Sequence, residues 1–258
     1  MTETTLITGA SSGIGYEMAL LLAEKKHNLV LTGRNTQRLN NLKTIIKEKH
    51  KINVWIIIKD LTKVYSAKEL YDEIITKNIK VTQLINNAGF GDYGFFSDSD
   101  LSKALQMIQL NISSLVSLTH YFLNDMQKKN YGKILNVGSI LSYFPMPRYT
   151  VYAASKSFVL SFSEALSKEL EHTNISVTCL CPGPTKTNFT SGSEMGKSKA
   201  YKNLKQANPK EVAKLGILAM EKSKRTVIYG LKNKLLVFST RLGTKGFVLR
   251  IASFISSK

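Results

Sequence analysis

Short apolar runs alternate with longer stretches of helical spacing along almost the whole chain, and this alternation restricts the possible folds more than any other feature. The runs are often β-branched and carry few charges, as parallel strands do when helices cover both of their faces. The predicted strands are Thr4–Thr8, Leu29–Thr32, Val54–Ile58, Gln83–Asn86, Lys133–Gly138, Ile175–Cys181 and Thr226–Tyr229.

The stretches between these runs have the apolar periodicity of helices, for example Ile14–Lys26, Thr36–Lys49, Leu101–Lys128 and Tyr149–His172. Alternating strands and helices predict an α/β fold, a Rossmann-type doubly wound parallel sheet of about seven strands with helices on both faces. A chain of 258 residues is long enough for one sizeable core of this kind. Helix-like stretches after Tyr229 predict a C-terminal helical extension.

A glycine-rich segment follows the first predicted strand and leads into the first predicted helix. Glycines in this context allow a tight turn and let the backbone approach a pyrophosphate at the positive end of the helix. Alternatively, the segment is an ordinary strand-to-helix turn with no ligand. The position of the glycines directly after the first strand makes this alternative less favoured. The residues that this turn would present to a dinucleotide are Gly9, Ser11, Ser12, Gly13, Ile14 and Gly15.

The end of the second predicted strand indicates which dinucleotide is bound. A carboxylate there would bind the adenosine ribose and repel a 2′-phosphate, but this strand leads directly into Gly33 and Arg34. Arg34, with Arg38 and the hydroxyl of Ser12, suits a phosphate dianion. A surface arginine at a helix start is the alternative, and the helix dipole mildly disfavours it. We therefore expect NADP(H) as the cofactor.

Tyr152 and Lys156 are four residues apart in a predicted helix, so their side chains share one face. An unperturbed tyrosine has a pKa of about 10, and a nearby ammonium group stabilises the phenolate and lowers that pKa. The pair can therefore supply the proton that a carbonyl needs while it is reduced. The spacing alone is a weak signal, because two common residues meet at it by chance in many helices.

Further polar residues lie at the expected ligand edge of the sheet. Ser139 follows a predicted strand thirteen residues before Tyr152, and an Asn-Asn-Ala-Gly segment at residues 86–89 ends another strand at the same edge. Asn111 lies inside a predicted helix, where asparagine is a poor helix former. Its side chain either takes part in the function of the site or is a structural amide whose hydrogen bonds are all made inside the protein.

With these motifs in this order, the chain resembles the single-domain short-chain dehydrogenases/reductases over about residues 4 to 230. The resemblance implies that Tyr152 delivers the proton and that Lys156 holds the nicotinamide ribose and acidifies Tyr152. It further implies that Ser139 orients the carbonyl and that Asn111 anchors a water that relays protons to Lys156. The cofactor contacts that it adds are Asp60, Leu61, Asn87, Ala88, Gly89, Pro182, Gly183, Thr185 and Thr187.

Because the resemblance ends near residue 230, we expect a domain division there, and the resemblance itself implies an assembly. Residues 1–230 would form the NADP-binding Rossmann-type catalytic domain, and residues 231–258 a basic amphipathic helical tail packed on or near it. A homo-oligomer is expected, with a dimer favoured, through the helical stretches around Asn111 and Tyr152.

The tail departs from the family pattern, in which many members end soon after the last strand. From Lys222 onward it has nine Lys or Arg residues and no Asp or Glu. Such a tail suits weak contact with an anionic membrane surface. Alternatively, its helices cover the substrate pocket or a dimer partner, and the lysines are simply solvated. Its two apolar stripes are Leu231, Leu235, Phe238 and Leu242, and Phe247, Ile251, Phe254 and Ile255.

The expected function is NADPH-dependent reduction of a ketone or aldehyde of apolar, acyl- or steroid-like character. A non-enzymatic NADP(H) sensor is the alternative from another class, but such a protein should lack one of Ser139, Tyr152 and Lys156. A membrane-peripheral protein with secondary catalysis is a third hypothesis. The net charge of +18 alone does not favour a nucleic-acid partner. The basic residues are spread along the chain, and the sequence shows no group of aromatic residues on which bases could stack.

The remaining sequence features suggest a cytoplasmic protein, peripheral to a membrane if the tail binds lipid. We see no signal peptide and no apolar segment long enough to cross a bilayer. Cys179 and Cys181 predict buried positions on one strand, with no disulfide and no metal site. The polar segment Pro184–Asn208 predicts a mobile lid. The expected substrate pocket is apolar and is shaped by the segments around Phe90–Phe96, Leu141–Tyr149 and Phe189–Tyr201. These segments include Phe95, Phe96, Tyr143, Phe144, Met146 and Phe189.

Overall fold

One parallel sheet of seven strands forms the centre of the computed structural model, which describes residues 3–187 and 206–256. The strands are β1 (Thr4–Thr8), β2 (Asn28–Gly33), β3 (Val54–Ile58), β4 (Gln83–Asn86), β5 (Gly132–Val137), β6 (Ile175–Cys181) and β7 (Thr226–Ile228). Their order is β3-β2-β1-β4-β5-β6-β7, and every neighbouring pair is parallel. All seven predicted strands are present within two residues of their predicted bounds.

Helices cover both faces of this sheet and continue beyond its last strand, so the predicted fold class is confirmed. They are α1 (Gly13–Glu24), α2 (Thr36–Lys49), α3 (Ser66–Thr76), α4 (Leu101–Ile108), α5 (Ser114–Lys129), α6 (Thr150–Glu169), α7 (Pro209–Glu221), α8 (Leu231–Leu242) and α9 (Lys245–Ser256). Two short 3₁₀ turns lie at Phe96–Asp98 and Ile140–Ser142.

Consecutive strand residues point to opposite faces, and each face has its own core. On β1, Ile7 packs in a cluster with α1, α2 and α7, whereas Leu6 packs in a cluster with α3 and α5. Both residues are fully buried, and such burial stabilises the fold by about 1.5–3 kcal/mol for each side chain. Burial on both faces is the reason that the strands are continuous apolar runs in the sequence.

The predicted helix Leu101–Lys128 is not continuous. A π-helical segment, Gln109–Ser113, separates α4 from α5 and contains Asn111. A π turn inserts one extra residue into a helix, and such insertions often occur at functional sites. The sequence pattern does not reveal this interruption, because the buried residues Met107, Asn111, Leu115 and Leu118 keep a spacing of three or four across it.

Cys179 and Cys181 are both fully buried on β6, as predicted, with their sulfur atoms 3.7 Å apart. Residues two apart on a strand point to the same face, so the two thiols are neighbours without a covalent bond.

The side chains that the two tail helices bury are small. Val237 of α8 and Ala252 of α9 are each 3% exposed, and Ala252 belongs to the cluster that contains Met146 and Tyr149. The large apolar residues of both helices are exposed instead. Among the described residues, none of the helices has the length and apolarity that crossing a bilayer requires.

Candidate active site

A cavity of about 450 Å³ opens at the carboxyl edge of the sheet, between the turn after β1 and the loops after β4, β5 and β6. The strand order reverses between β1 and β4, and open α/β sheets bind their ligands at such a point. Every predicted catalytic or cofactor residue lines this cavity except Gly15 and Asn111. The volume lies within the range of small-molecule sites.

The turn after β1 is tied to the segment that follows β4. Gly9 has a φ of +67°, in the left-handed region, and a Cβ there would lie 2.9 Å from Ala88 Cα, so only glycine fits. Asn87 Nδ2 donates hydrogen bonds to the carbonyl oxygens of Thr8 at 2.9 Å and Gly9 at 3.2 Å. These bonds hold the two edges of the cavity together.

Gly15 lies behind this turn instead of on the cavity surface. A Cβ on Gly15 would lie 2.4 Å from Asn87 Nδ2. The glycine therefore allows α1 to approach the Asn87 side chain closely, which is a packing role.

Two arginines lie at the mouth of the cavity where β2 leads into α2. Asn35 caps α2 through its side-chain oxygen, which accepts a hydrogen bond from Arg38 N at 2.9 Å. Arg34 and Arg38 are exposed, and neither is in an ion pair with an acidic residue of the described chain. Two such guanidinium groups at a helix N-terminus favour an anionic group.

The loop after β3 forms another part of the cavity surface. Asp60 Oδ1 accepts hydrogen bonds from the main-chain N and the hydroxyl of Thr62 at 3.1 and 2.8 Å. The carbonyl of Leu61 accepts a hydrogen bond from Ser114 at 2.7 Å, which ties this loop to α5. Lys59 also lines the cavity, and the sequence motifs did not indicate it.

Tyr152 and Lys156 lie side by side on the cavity-facing side of α6. The ammonium nitrogen of Lys156 is 5.9 Å from the centre of the Tyr152 ring and donates a hydrogen bond to the carbonyl of Val137 at 2.8 Å. Burial lowers the pKa of Lys156 from 10.5 to about 8, and Cys179 and Cys181 partly oppose this shift. The site therefore holds a desolvated cation next to a phenol.

The turn after β5 fixes the position of Ser139. Its Oγ accepts a hydrogen bond from Leu141 N at 3.1 Å, and its main-chain N donates to Ser142 Oγ at 3.1 Å. This reciprocal capping holds the side chain at the cavity. Because Oγ accepts the bond from Leu141, the hydroxyl hydrogen can be donated to a substrate oxygen.

Asn111 links the loop after β4 to α6 through hydrogen bonds of its side chain. Its Oδ1 accepts a hydrogen bond from Phe90 N at 3.2 Å, and its Nδ2 donates to Phe90 O at 3.0 Å and to Ser155 Oγ at 3.1 Å. The residue is 1% exposed. Its side chain thus positions the helix that carries Tyr152 and Lys156.

A second buried network supports the same helix, and of its members the sequence motifs indicated only Asn86. Asn86 Nδ2 donates to Asn136 Oδ1 at 2.9 Å and to Thr119 Oγ1 at 3.0 Å, and Asn136 Nδ2 donates to Ser163 Oγ at 2.9 Å. The chain of bonds connects β4 and β5 to α6. Asn86 and Asn136 pair with each other across β4 and β5, and an asparagine near the end of each apolar strand is the signal that the sequence offers.

The side of the cavity beyond Tyr152 and Ser139 is apolar. It is lined by Phe90, Leu141, Met146 and Tyr149, and all four lie in the two segments expected there, Phe90–Phe96 and Leu141–Tyr149. Of the residues expected there by name, only Met146 lines the cavity, and the others lie elsewhere or outside the described residues.

The expectation that Phe95 and Phe96 line this pocket is wrong, because both are more than half exposed on a loop outside it. Tyr143 and Phe144 line a neighbouring groove instead. Phe189 and most of the predicted lid Pro184–Asn208 lie outside the described residues. At the ends of that segment, Thr185 and Ala207 form a β-bridge.

Comparisons with known proteins place these features in a family. Residues 3–197 match the family model described as short chain dehydrogenase. A relative from Pinus massoniana, 11-beta-hydroxysteroid dehydrogenase, is 32% identical over 231 residues, which cover 88% of this chain but 64% of that protein. The NADP-dependent 3-hydroxy acid dehydrogenase of Schizosaccharomyces pombe is 29% identical over 254 residues, 96% of each chain.

Solved structures have the same fold. The short-chain dehydrogenase from Sphingobium yanoikuyae in complex with NADPH superposes with a TM-score of 0.83 at 26% identity, covering 93% of this chain and 94% of that one. The family match extends over most of the chain and includes the turn after β1, Ser139, Tyr152 and Lys156. The chain therefore belongs to the short-chain dehydrogenase family.

Proposed function

We propose that this protein is an NADPH-dependent reductase that converts an apolar ketone or aldehyde, of acyl- or steroid-like character, into an alcohol. The observation that carries the proposal is the buried Lys156 ammonium beside the Tyr152 ring on one cavity surface, with the Ser139 hydroxyl on the same cavity. These groups can bind and protonate a carbonyl oxygen.

The residues around the cavity suit NADP(H). The turn after β1 offers main-chain N–H groups and the N-terminus of α1 to the pyrophosphate, and Arg34 and Arg38 can pair with the 2′-phosphate. Relatives described as NADP-dependent and as bound to NADPH support this choice. When bound, NADPH supplies the hydride that reduces the carbonyl carbon.

In the proposed reaction Tyr152 gives its hydroxyl proton to the substrate oxygen as negative charge develops there. Lys156 stabilises the phenolate that remains, because its cation lies close by in a site of low dielectric. One of its N–H groups is held by Val137 O, which leaves two to hold the nicotinamide ribose. Ser139 donates its hydroxyl hydrogen to the same substrate oxygen and so orients the carbonyl.

We assign Asn111 a supporting part in this reaction. Its hydrogen bonds to Phe90 and Ser155 hold α6 against the loop after β4. A water bound near its π-helical segment would return a proton to Tyr152 through Lys156.

The substrate side of the cavity supports an apolar substrate. Phe90, Leu141, Met146 and Tyr149 offer ring and methyl surfaces, which gain most from a hydrophobic ligand. The name of the Pinus massoniana relative is consistent with such a compound.

The experiment that tests this function is NADPH oxidation by the purified chain with a panel of aldehydes, ketones and 3-oxoacyl thioesters. We expect turnover of apolar carbonyl compounds and a higher kcat/KM for them than for short polar ones. NADPH binding without turnover of any carbonyl class would contradict the proposal and favour a non-enzymatic sensor. A preference for polar substrates would contradict the assigned substrate class alone.

We also propose that the protein is a homodimer. Leu101 and Leu105 of α4 and Phe158 of α6 are exposed apolar side chains on helices next to the site, and a dimer would cover them. The mass measured by light scattering is expected to be about twice that of one chain, and a monomer would contradict this assignment.

The pH dependence of the reaction is expected to follow Lys156. Because the pKa of Lys156 is about 8, the ammonium form disappears above that pH and kcat/KM for carbonyl reduction should fall. From pH 8 to 10.5 the unfolded chain holds the proton and the folded chain does not, so the Lys156 contribution to the free energy of unfolding rises with pH.

A Lys156→Met variant is the control for both measurements. Its free energy of unfolding should lack the rise that wild type shows between pH 8 and 10.5, even where its activity is too low to follow. A rate that stays constant from pH 7 to 10 would show that the charge of Lys156 does not govern proton transfer.

A further inference from the structure

The outer surface of the tail is apolar, the reverse of an ordinary surface helix. At about 100° per residue, the apolar stripe of α8 occupies an arc of about 60°, and this arc faces solvent. The stripe residues Leu231, Leu235, Phe238 and Leu242 are 72%, 60%, 60% and 76% exposed. Phe247 of α9 is similarly exposed, at 58%.

The inner surface of the tail fixes this orientation. Val237 and Ala252 face inward and are buried, and Asn233 Nδ2 donates a hydrogen bond to Tyr229 O at 2.7 Å. The hydroxyl of Tyr93 donates to the carbonyl of Ser256 at 2.9 Å. The outward position of the larger apolar residues is therefore built into the packing of both helices.

The same surface carries only positive charge. No acidic residue follows Glu221 in the sequence, and none of the tail cations is in an ion pair within the described part of the chain. Lys234 and Arg241 lie on one side of the α8 stripe and Lys232 on the other. The cations of α8 and α9 are Lys232, Lys234, Arg241, Lys245 and Arg250.

This charge pattern discriminates between possible occupants of the surface. A second copy would bring two cationic surfaces together, with no Asp or Glu side chain in the tail to pair with them. An anionic lipid surface complements both features, because acyl chains accept the apolar stripe and headgroup phosphates accept the flanking cations. We propose that α8 and α9 dock the protein on an anionic lipid surface.

Docking would place the substrate side of the cavity next to the lipid. Ala252 packs in the cluster that contains Met146, Tyr149 and Tyr152, and Leu249 lines the groove beside Met146. If the proposed reductase function is correct, an apolar carbonyl compound dissolved in the bilayer could then enter the cavity without crossing water. This consequence rests on the proposed function, whereas the docking itself does not.

The test is flotation of the full chain with phosphatidylcholine vesicles that contain or lack phosphatidylserine. We expect wild type to float with the mixed vesicles and to remain unbound with phosphatidylcholine alone. A Leu235→Glu/Phe238→Glu variant removes two apolar contacts and should bind the mixed vesicles at least about tenfold more weakly. Equal recovery of wild type and this variant with the vesicles would overturn the proposal.

Matched charge variants separate docking from general attraction, because the whole chain has a net charge of +18. Lys234→Glu/Arg241→Glu should weaken vesicle binding, whereas Lys47→Glu/Lys49→Glu, the same charge change on α2, should leave it nearly unchanged. Equal weakening by both pairs would mean that net charge alone attracts the protein, and the proposal would fail.

Two further measurements distinguish loss of lipid docking from loss of folding or of an oligomer. NADPH binding and reduction of a water-soluble carbonyl report whether each variant is folded, and both should be unaffected by the tail substitutions. If light scattering shows that Leu235→Glu/Phe238→Glu dissociates an oligomer while vesicle binding persists, the surface is a protein interface and the proposal is wrong. Vesicle binding by a chain with no reductase activity would support docking and reject the proposed function.

Discussion

Replacement of Tyr152 by phenylalanine is expected to lower kcat for carbonyl reduction by about 10²- to 10⁴-fold, the usual contribution of a positioned general acid. The ring keeps its place in the cluster with Met146 and Tyr149, so the change removes the proton donor and little packing. The affinity for NADPH, measured by nucleotide fluorescence, should change by less than about tenfold.

Tyr149→Phe is the matched control for this experiment, because Tyr149 lines the same cavity and is also buried. Removal of that hydroxyl should reduce kcat far less than Tyr152→Phe does. If Tyr152→Phe retains near wild-type turnover, another group supplies the proton and the assigned acid is wrong.

Substitution of Arg34 by aspartate is expected to reverse or strongly reduce the preference for NADPH over NADH. The variant loses hydrogen bonds to a charged phosphate, each of which contributes about 1.5–3 kcal/mol, and places a carboxylate where the 2′-phosphate would lie. We expect kcat/KM for NADPH to fall by about 10- to 100-fold, while kcat/KM for NADH stays constant or rises.

The control for Arg34→Asp is Lys47→Asp, which makes the same change of charge in the last turn of α2, far along the helix from the cavity. This control should leave the cofactor preference unchanged. Should Arg34→Asp also leave it unchanged, then Arg38→Ala becomes the decisive variant, because Arg38 is the other guanidinium at the cavity mouth.

The sheet could be predicted from the sequence because local pattern and tertiary burial agree. Leu6 and Ile7 are neighbours in sequence but belong to cores on opposite faces, so the strand has to be apolar at every position. The bounds of α2 were also predicted correctly, since Asn35 supplies a side-chain cap directly before Thr36.

Features that depend on contacts between distant segments could not be predicted in the same way. The π-helical turn at Asn111 changes helical phase by one residue, which the apolar pattern does not register. The outward orientation of Leu235 and Phe238 also defies the usual rule that an apolar stripe faces the core. Val237 and Ala252 are the buried positions instead, and the apolar pattern does not single them out.

Much of the candidate site followed from motifs at the ends of strands, because the carboxyl ends of parallel strands meet at one edge. The substrate side was harder to predict. Met146 lies on the cavity but Phe95, also on a loop near the sheet edge, does not, and only the course of each loop decides between them. The roles of Asn136 and Ser163 emerge only when β5 lies against α6.

The contact between Tyr93 and the carbonyl of Ser256 has a practical consequence for anyone who produces this protein. An affinity tag or fluorescent fusion joined after α9 would begin beside the substrate side of the cavity. There it could alter substrate selectivity or obstruct the entry of substrate. The start of β1 at Thr4 lies at the opposite, amino-terminal edge of the sheet. Fusions are therefore better placed there, where they leave the opening clear.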